Sequence, residues 1–241
     1  MSLVLLTNVT QYAGPGALPA LLGHGHRVAC HDAGFMDAAA RTAFDAEHGN
    51  AFALAAQEPG ELVSETIARF GLPDSVVLND VHPITRNAIE DIPPDDFRLT
   101  FEAVVMFPVQ VVQAILPAMK ERRRGSFVFV TSARERSPES GFAVPTATRA
   151  AASAFAKAVA REVAPFGIQA NVVAPNYLYS ELYYPKARFV DDPEGREAIA
   201  RIVPMGRLGD PKEVGELIAF FASGSSAFTT GQFVAFTGGW A

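Results

Sequence analysis

Residues Phe127 to Ala151 read FVFVTSARERSPESGFAVPTATRAA, and this stretch decides the fold. Its first five residues, FVFVT, are β-branched and aromatic without interruption, the pattern of a strand buried on both faces. At Ser132 the run breaks into a charged segment containing proline and glycine, which predicts a loop. From Pro145 the chain resumes as an alanine-rich helical segment carrying Arg149. A hydroxyl just past a buried strand, followed by a cation on the next helix, sits where open α/β sheets place their chemistry.

Working outward, the alternation extends over the whole chain. Strands are expected at Leu3–Thr7, Arg27–His31, Phe52–Ala55, Ser75–Leu78, Phe127–Thr131, Gln169–Ala174 and Gln232–Phe236. Helical segments are expected at Pro15–Gly23, Asp37–His48, Pro59–Phe70, Thr146–Ala164 and near Lys212–Ala222. Between them, Pro94–Arg122 reads as two helices or as one bent near Pro108. A long Tyr- and Pro-rich loop is expected after Ala174. Strands separated by helices of about a dozen residues imply βαβ units, hence a doubly wound parallel sheet forming one domain over residues 1–241.

Composition sets limits on function. The chain has 241 residues, 49% hydrophobic and 19% charged, enough to bury a large core. A formal net charge of −6 and the lack of a basic patch argue against nucleic acid or an anionic membrane as partner. The apolar run near the N-terminus, LVLL, is too short for a signal peptide or a membrane span. A single cysteine, Cys30, excludes a disulfide framework and fits a cytoplasmic protein. The five histidines show no metal-ligand spacing, so no metal is expected.

Arg149 follows Ser132 by seventeen residues, with Pro145 between them. This resembles the short-chain dehydrogenase/reductase superfamily, where that spacing holds a Ser, a Tyr thirteen residues on and a Lys four beyond. The resemblance implies a glycine-rich turn after the first strand, Thr-Gly, three residues, then Gly-x-Gly. The chain instead reads Thr7-Asn8-Val9-Thr10-Gln11-Tyr12-Ala13-Gly14, so two of the three glycines are replaced. Tyr12 places a phenol ring where backbone would approach a pyrophosphate and nicotinamide ribose. Asp32, at the end of the second strand, is where a ribose-binding acid would lie. Bound NAD(P) is not expected, and no other cofactor is implied.

Tyr12, Arg149 and the Asn176-Tyr177 pair after Pro175 are similar to the halohydrin dehalogenases, a cofactor-free offshoot of that superfamily. Asn79-Asp80, the segment Gly167–Leu178 and the C-terminal Thr237-Gly238-Gly239 extend the likeness across the chain. Members of that family convert vicinal haloalcohols to epoxides with release of halide and open epoxides with small anions in reverse. The resemblance implies that Ser132 positions the substrate oxygen and that Arg149 tunes the base, with Asp80 pairing with and orienting Arg149. It assigns the halide and substrate pocket to Tyr12, Pro175, Asn176, Tyr177, Leu178 and Tyr184. It also implies a homo-oligomer, a tetramer of two-fold pairs.

Pro145 stands where the resemblance requires the tyrosine that takes the substrate's proton. Proline can neither accept nor donate a proton, and the hydroxyls of Thr146 and Thr148 titrate far too high to replace it. The sequence therefore leaves open a weakened or lost dehalogenase, an enzyme with a base recruited from the Tyr177–Tyr184 loop or from water, and a small-anion binder. An NAD(P)-dependent short-chain oxidoreductase is the alternative from a different class.

Overall fold

A computed structural model describes residues 2–83, 86–181 and 183–241. Seven parallel strands form one sheet in the order β3-β2-β1-β4-β5-β6-β7. They are β1 (Leu3–Leu6), β2 (Arg27–Cys30), β3 (Ala51–Ala53), β4 (Ser75–Leu78), β5 (Gly125–Val130), β6 (Ile168–Pro175) and β7 (Phe233–Phe236). The strand order reverses between β1 and β4, and such switch points open a crevice at the carboxyl ends of the strands.

Alternation along each strand divides the core into two layers. Leu3 and Leu5 of β1 join Phe127 and Phe129 of β5 on one face. Val4 and Leu6 join Val128 and Val130 on the other. The first layer is covered by α3 (Pro59–Phe70), α5 (Phe107–Arg122) and α6 (Ala143–Val163). The second is covered by α1 (Gly14–Gly23) and α8 (Pro211–Ala222). α1 and α8 touch backbone to backbone. A Cβ at Gly16 would overlap the Pro211 carbonyl, and one at Gly215 would overlap that of Gly16. α2 (Ala38–His48) closes the β3 edge.

The region Pro94–Arg122 is continuous: α4 (Pro94–Phe101) runs into α5 through a π-helical turn at Glu102–Met106. Pro108 brings no N–H to the helix ladder, and a widened turn just before it is a way to absorb that loss. The segment after β6 differs from the loop expected there, because it contains a further helix, α7 (Pro193–Ile202). Asp192 caps α7 by accepting from the N–H groups of Glu194 and Gly195. Ile199 of α7 packs with Tyr177, Val203 and Leu208 in a small separate cluster, so α7 anchors the segment above the crevice.

Candidate functional site

The turn between β1 and α1 is built without its glycines but keeps a glycine-like backbone. Asn8 and Tyr12, at the two replaced positions, have φ of 50° and 55°. Left-handed backbone at a residue as bulky as Tyr costs on the order of 1–3 kcal/mol, so the surroundings must hold it. They do. The Asn79 amide donates to the carbonyls of Asn8 and Gln11, and its oxygen accepts from the Ala13 N–H. Asp32 accepts from the Thr10 N–H at 3.0 Å, the Thr10 hydroxyl at 2.6 Å and the Gly34 N–H at 3.0 Å. The carboxylate that would face a ribose is thus committed to bracing the turn.

Tyr12 turns its ring into the crevice, where its hydroxyl donates to the Thr131 carbonyl at 2.7 Å. The Arg149 guanidinium lies over this ring, 5.3 Å from the centroid. Burial pushes the Tyr12 phenol up to about 12 despite the opposing field of Arg149. Tyr12 is therefore a wall and a cation platform, poorly suited to take a proton. Arg149 itself is buried and donates from Nη1 to the Val130 carbonyl at 3.0 Å.

Ser132, Pro145, Arg149, Pro175, Asn176, Tyr177, Leu178, Tyr184 and Tyr12 surround one cavity of about 50 Å³, together with Arg134 and Tyr183. Residues from four loops and helices thus converge as the sequence implied, with one exception. Asp80 does not line the cavity and makes no ion pair with Arg149. Its carboxylate instead accepts from the Thr7 hydroxyl at 2.8 Å. The expected pairing gives way because the Thr7 hydroxyl, at the end of the adjacent strand, meets the carboxylate first. Arg149 acts on Asp80 only through space. Burial raises the Asp80 carboxyl to about 7, against the lowering effects of Thr7 and Arg149.

Ser132 Oγ accepts from the Arg134 N–H at 3.3 Å, and its own proton is given to no acceptor among the described residues. A free O–H facing the cavity can donate to a substrate oxygen. On the far side, Tyr177 has φ of 52°. Neither its N–H nor that of Leu178 has a backbone acceptor among the described residues. The Tyr177 carbonyl accepts from the Gly209 N–H at 2.9 Å, which fixes this turn.

Three cavity partners carry no signal in the sequence. Arg134 lies 4.0 Å from the Phe142 ring centroid and donates from Nε to Glu139 at 3.3 Å. The same Glu139 oxygen accepts from the Asn176 amide at 3.3 Å and the Tyr177 hydroxyl at 3.4 Å. Glu139 thereby ties the loop after β5 to the loop after β6. Tyr183 comes from the tyrosine-rich segment, where nothing in the spacing separates it from its neighbours. No group of three or more His, Cys, Asp or Glu able to hold a metal ion occurs among the described residues.

A larger cavity of about 420 Å³ is lined in part by Arg196 and Ile199 of α7. Its cations are already paired: Lys186 with Asp191, Arg207 with Glu213, and Arg196 with the carbonyls of Val190 and Asp191. The smaller cavity is the one lined by Ser132, Tyr177 and Leu178; the Ser132 hydroxyl and the N–H groups of Tyr177 and Leu178 have no acceptor among the described residues.

Comparison with known proteins places the chain. The family model described as Enoyl-(Acyl carrier protein) reductase, a short-chain dehydrogenase/reductase model, matches residues 19–241. The chain belongs to the short-chain dehydrogenase/reductase family. Within that family it is 32% identical over 197 residues to the 3-oxoacyl-[acyl-carrier-protein] reductase of Vibrio cholerae serotype O1, covering 80% of this chain and 78% of the reductase. Among solved short-chain structures, one called a dehalogenation enzyme superposes with a TM-score of 0.94 at 32% identity, covering 100% of this chain and 98% of the other. A halohydrin dehalogenase bound to ethyl (2S)-oxiran-2-ylacetate superposes with a TM-score of 0.95 at 33% identity, covering 99% and 96%.

Proposed function

We propose that this short-chain family member binds no nicotinamide and acts on vicinal haloalcohols and epoxides, with a halide or other small anion as leaving group or nucleophile. One observation carries the reading: the Tyr12 ring occupies the crevice behind β1, hydrogen-bonded to Thr131 and lying beneath Arg149. The likeness to two solved dehalogenases supports it. In this reading the Ser132 hydroxyl donates to the substrate oxygen, and Arg149 stabilises the charge that grows there. The alkoxide displaces the halide from the neighbouring carbon. The N–H groups of Tyr177 and Leu178 receive the departing anion between the Tyr12 ring and Pro175. The same reading proposes a homo-oligomer, in which a second copy covers apolar surface such as Phe97 and Leu99 of α4, 46% and 41% exposed.

A nicotinamide-dependent oxidoreductase is the second reading, favoured by the name of the Vibrio cholerae relative. Against it stand Tyr12, the bracing role of Asp32, and Pro145 in place of the tyrosine that such chemistry requires. Two measurements on the purified protein separate the readings. Bromide release from 1-bromo-2-propanol without added cofactor is expected, with no saturable NADH or NADPH binding by calorimetry. A micromolar dissociation constant for either nicotinamide would overturn the proposal.

A further inference from the structure

Resting on the dehalogenase reading, the geometry points to Tyr183 as the group that takes the substrate's proton in place of the tyrosine absent at position 145. The chain has five tyrosines, and the structure disposes of four. The Tyr12 hydroxyl is held by Thr131. The Tyr177 hydroxyl donates to Glu139. Tyr179 bonds to Glu181 and lies outside the cavity. The Tyr184 ring is packed between Tyr177 and Phe189, and burial, with Tyr177 and Glu139 beside it, raises its phenol well above the ordinary value.

Tyr183 remains, and no carboxylate is among the groups that shift it. It lines the same cavity as Ser132, Pro145 and Arg149, and its hydroxyl has no partner among the described residues. Its backbone N–H is held by the Ser180 hydroxyl at 3.2 Å, and Ser180 pairs with Tyr184 across the turn. Its ring stands perpendicular to the Tyr12 ring, 6.5 Å between centroids, beside the aromatic platform that carries Arg149.

The surrounding charges agree with this role. Burial raises the Tyr183 phenol above its ordinary value, while Arg149 and then Arg134 lower it. No carboxylate opposes its ionisation, whereas Glu139 raises both Tyr177 and Tyr184. A Tyr183 phenolate thus meets two cations in a partly dry cavity. In the step itself, the phenolate oxygen accepts the proton of the substrate hydroxyl. The freed electron pair forms the new C–O bond to the adjacent carbon, and the C–halogen bond breaks with its pair leaving as halide. The phenol then returns its proton to solvent, and nothing is oxidised or reduced. Because the phenol titrates above its ordinary value, the base form grows about tenfold per pH unit through neutrality. The reaction is therefore expected to be fastest in alkali.

The test is bromide release from 1-bromo-2-propanol between pH 6 and 10, corrected for the uncatalysed reaction, for the parent protein, Tyr183→Phe, Tyr179→Phe, Pro145→Tyr and Pro145→Tyr/Tyr183→Phe. Tyr183→Phe is expected to lose about 10²–10⁴-fold and the alkaline rise, with bromide affinity unchanged. Tyr179→Phe, outside the cavity, keeps both. The double variant recovers turnover at neutral pH, which a merely structural role for Tyr183 would not allow. A Tyr183→Phe variant that retains rate and pH slope overturns the assignment. So does a parent protein that is inactive at every pH while Pro145→Tyr is active, although the dehalogenase reading then stands. Inactivity of the parent and both Pro145→Tyr variants removes that reading as well.

Discussion

Pro145→Tyr is expected to raise halide release from a vicinal bromoalcohol at pH 7 by about 10²–10⁴-fold, the usual worth of a positioned general base. Position 145 lies in the first turn of α6 and is buried against the cavity, one helical turn before Arg149. A phenol there would face the guanidinium at close range and be ionised more readily than a free tyrosine. If Tyr183 is the native base, it lacks that advantage, because burial raises its phenol above the ordinary value despite Arg149 and Arg134. Proline tolerates an early helical position because its missing N–H needs no partner there, so removing it should cost only about 1 kcal/mol. Pro145→Phe is the control, since it fills the same space without a hydroxyl. Equal rates for folded Tyr and Phe variants would show that Ser132 and Arg149 do not form a working site around position 145.

The second large effect concerns Asp80 and stability. Its carboxyl titrates near 3.8 when exposed and is raised to about 7 in the folded protein. Below about pH 4 it is neutral in both states and contributes no difference. Between about 4 and 7 the folded state keeps a proton that the unfolded state has released, and above 7 the native state carries a buried charge. Asp80 therefore makes the protein progressively less stable as pH rises through this window. Asp80→Asn stays neutral throughout and can still accept from Thr7. It is expected to gain on the parent as pH rises from 4 to 8, by on the order of 4 kcal/mol at most, since each pH unit corresponds to 1.36 kcal/mol. Denaturant midpoints at pH 4.5 and 8 measure the gain. A difference between the two proteins that does not change with pH would contradict the buried, weakly compensated carboxylate.

Much of the architecture is legible in the residues because it rests on short-range patterns. FVFVT and SVVL are apolar on both faces, as strands between two helical layers must be, and each lies within a strand or ends one residue beyond it. α7 was not legible: PEGREAIARI is charged, contains a glycine and carries its apolar contacts on few residues, so it reads as loop until Ile199 meets Tyr177. The cavity itself was largely legible, since Ser132, Pro145 and Arg149 have a recognisable spacing and Pro175 to Leu178 directly follow a strand. Where reading stopped was at side-chain partners. Asp80 and Arg149 carry opposite charges, yet the Thr7 hydroxyl decides where the carboxylate points. Arg134 and Glu139 sit in the segment RERSPE, whose charges look like those of any solvated loop. Their bridge to Asn176 exists only once β5 and β6 lie side by side.

The central claim, that the crevice behind Tyr12 serves a small anion instead of a dinucleotide, is tested most directly by soaking crystals of the protein in bromide and locating it by anomalous scattering. The account predicts a bromide between the Tyr12 ring and the Pro175–Leu178 turn, about 3–3.5 Å from the N–H groups of Tyr177 and Leu178. A cavity without bromide, together with NADPH lying along the β1–α1 turn in a parallel soak, would contradict it.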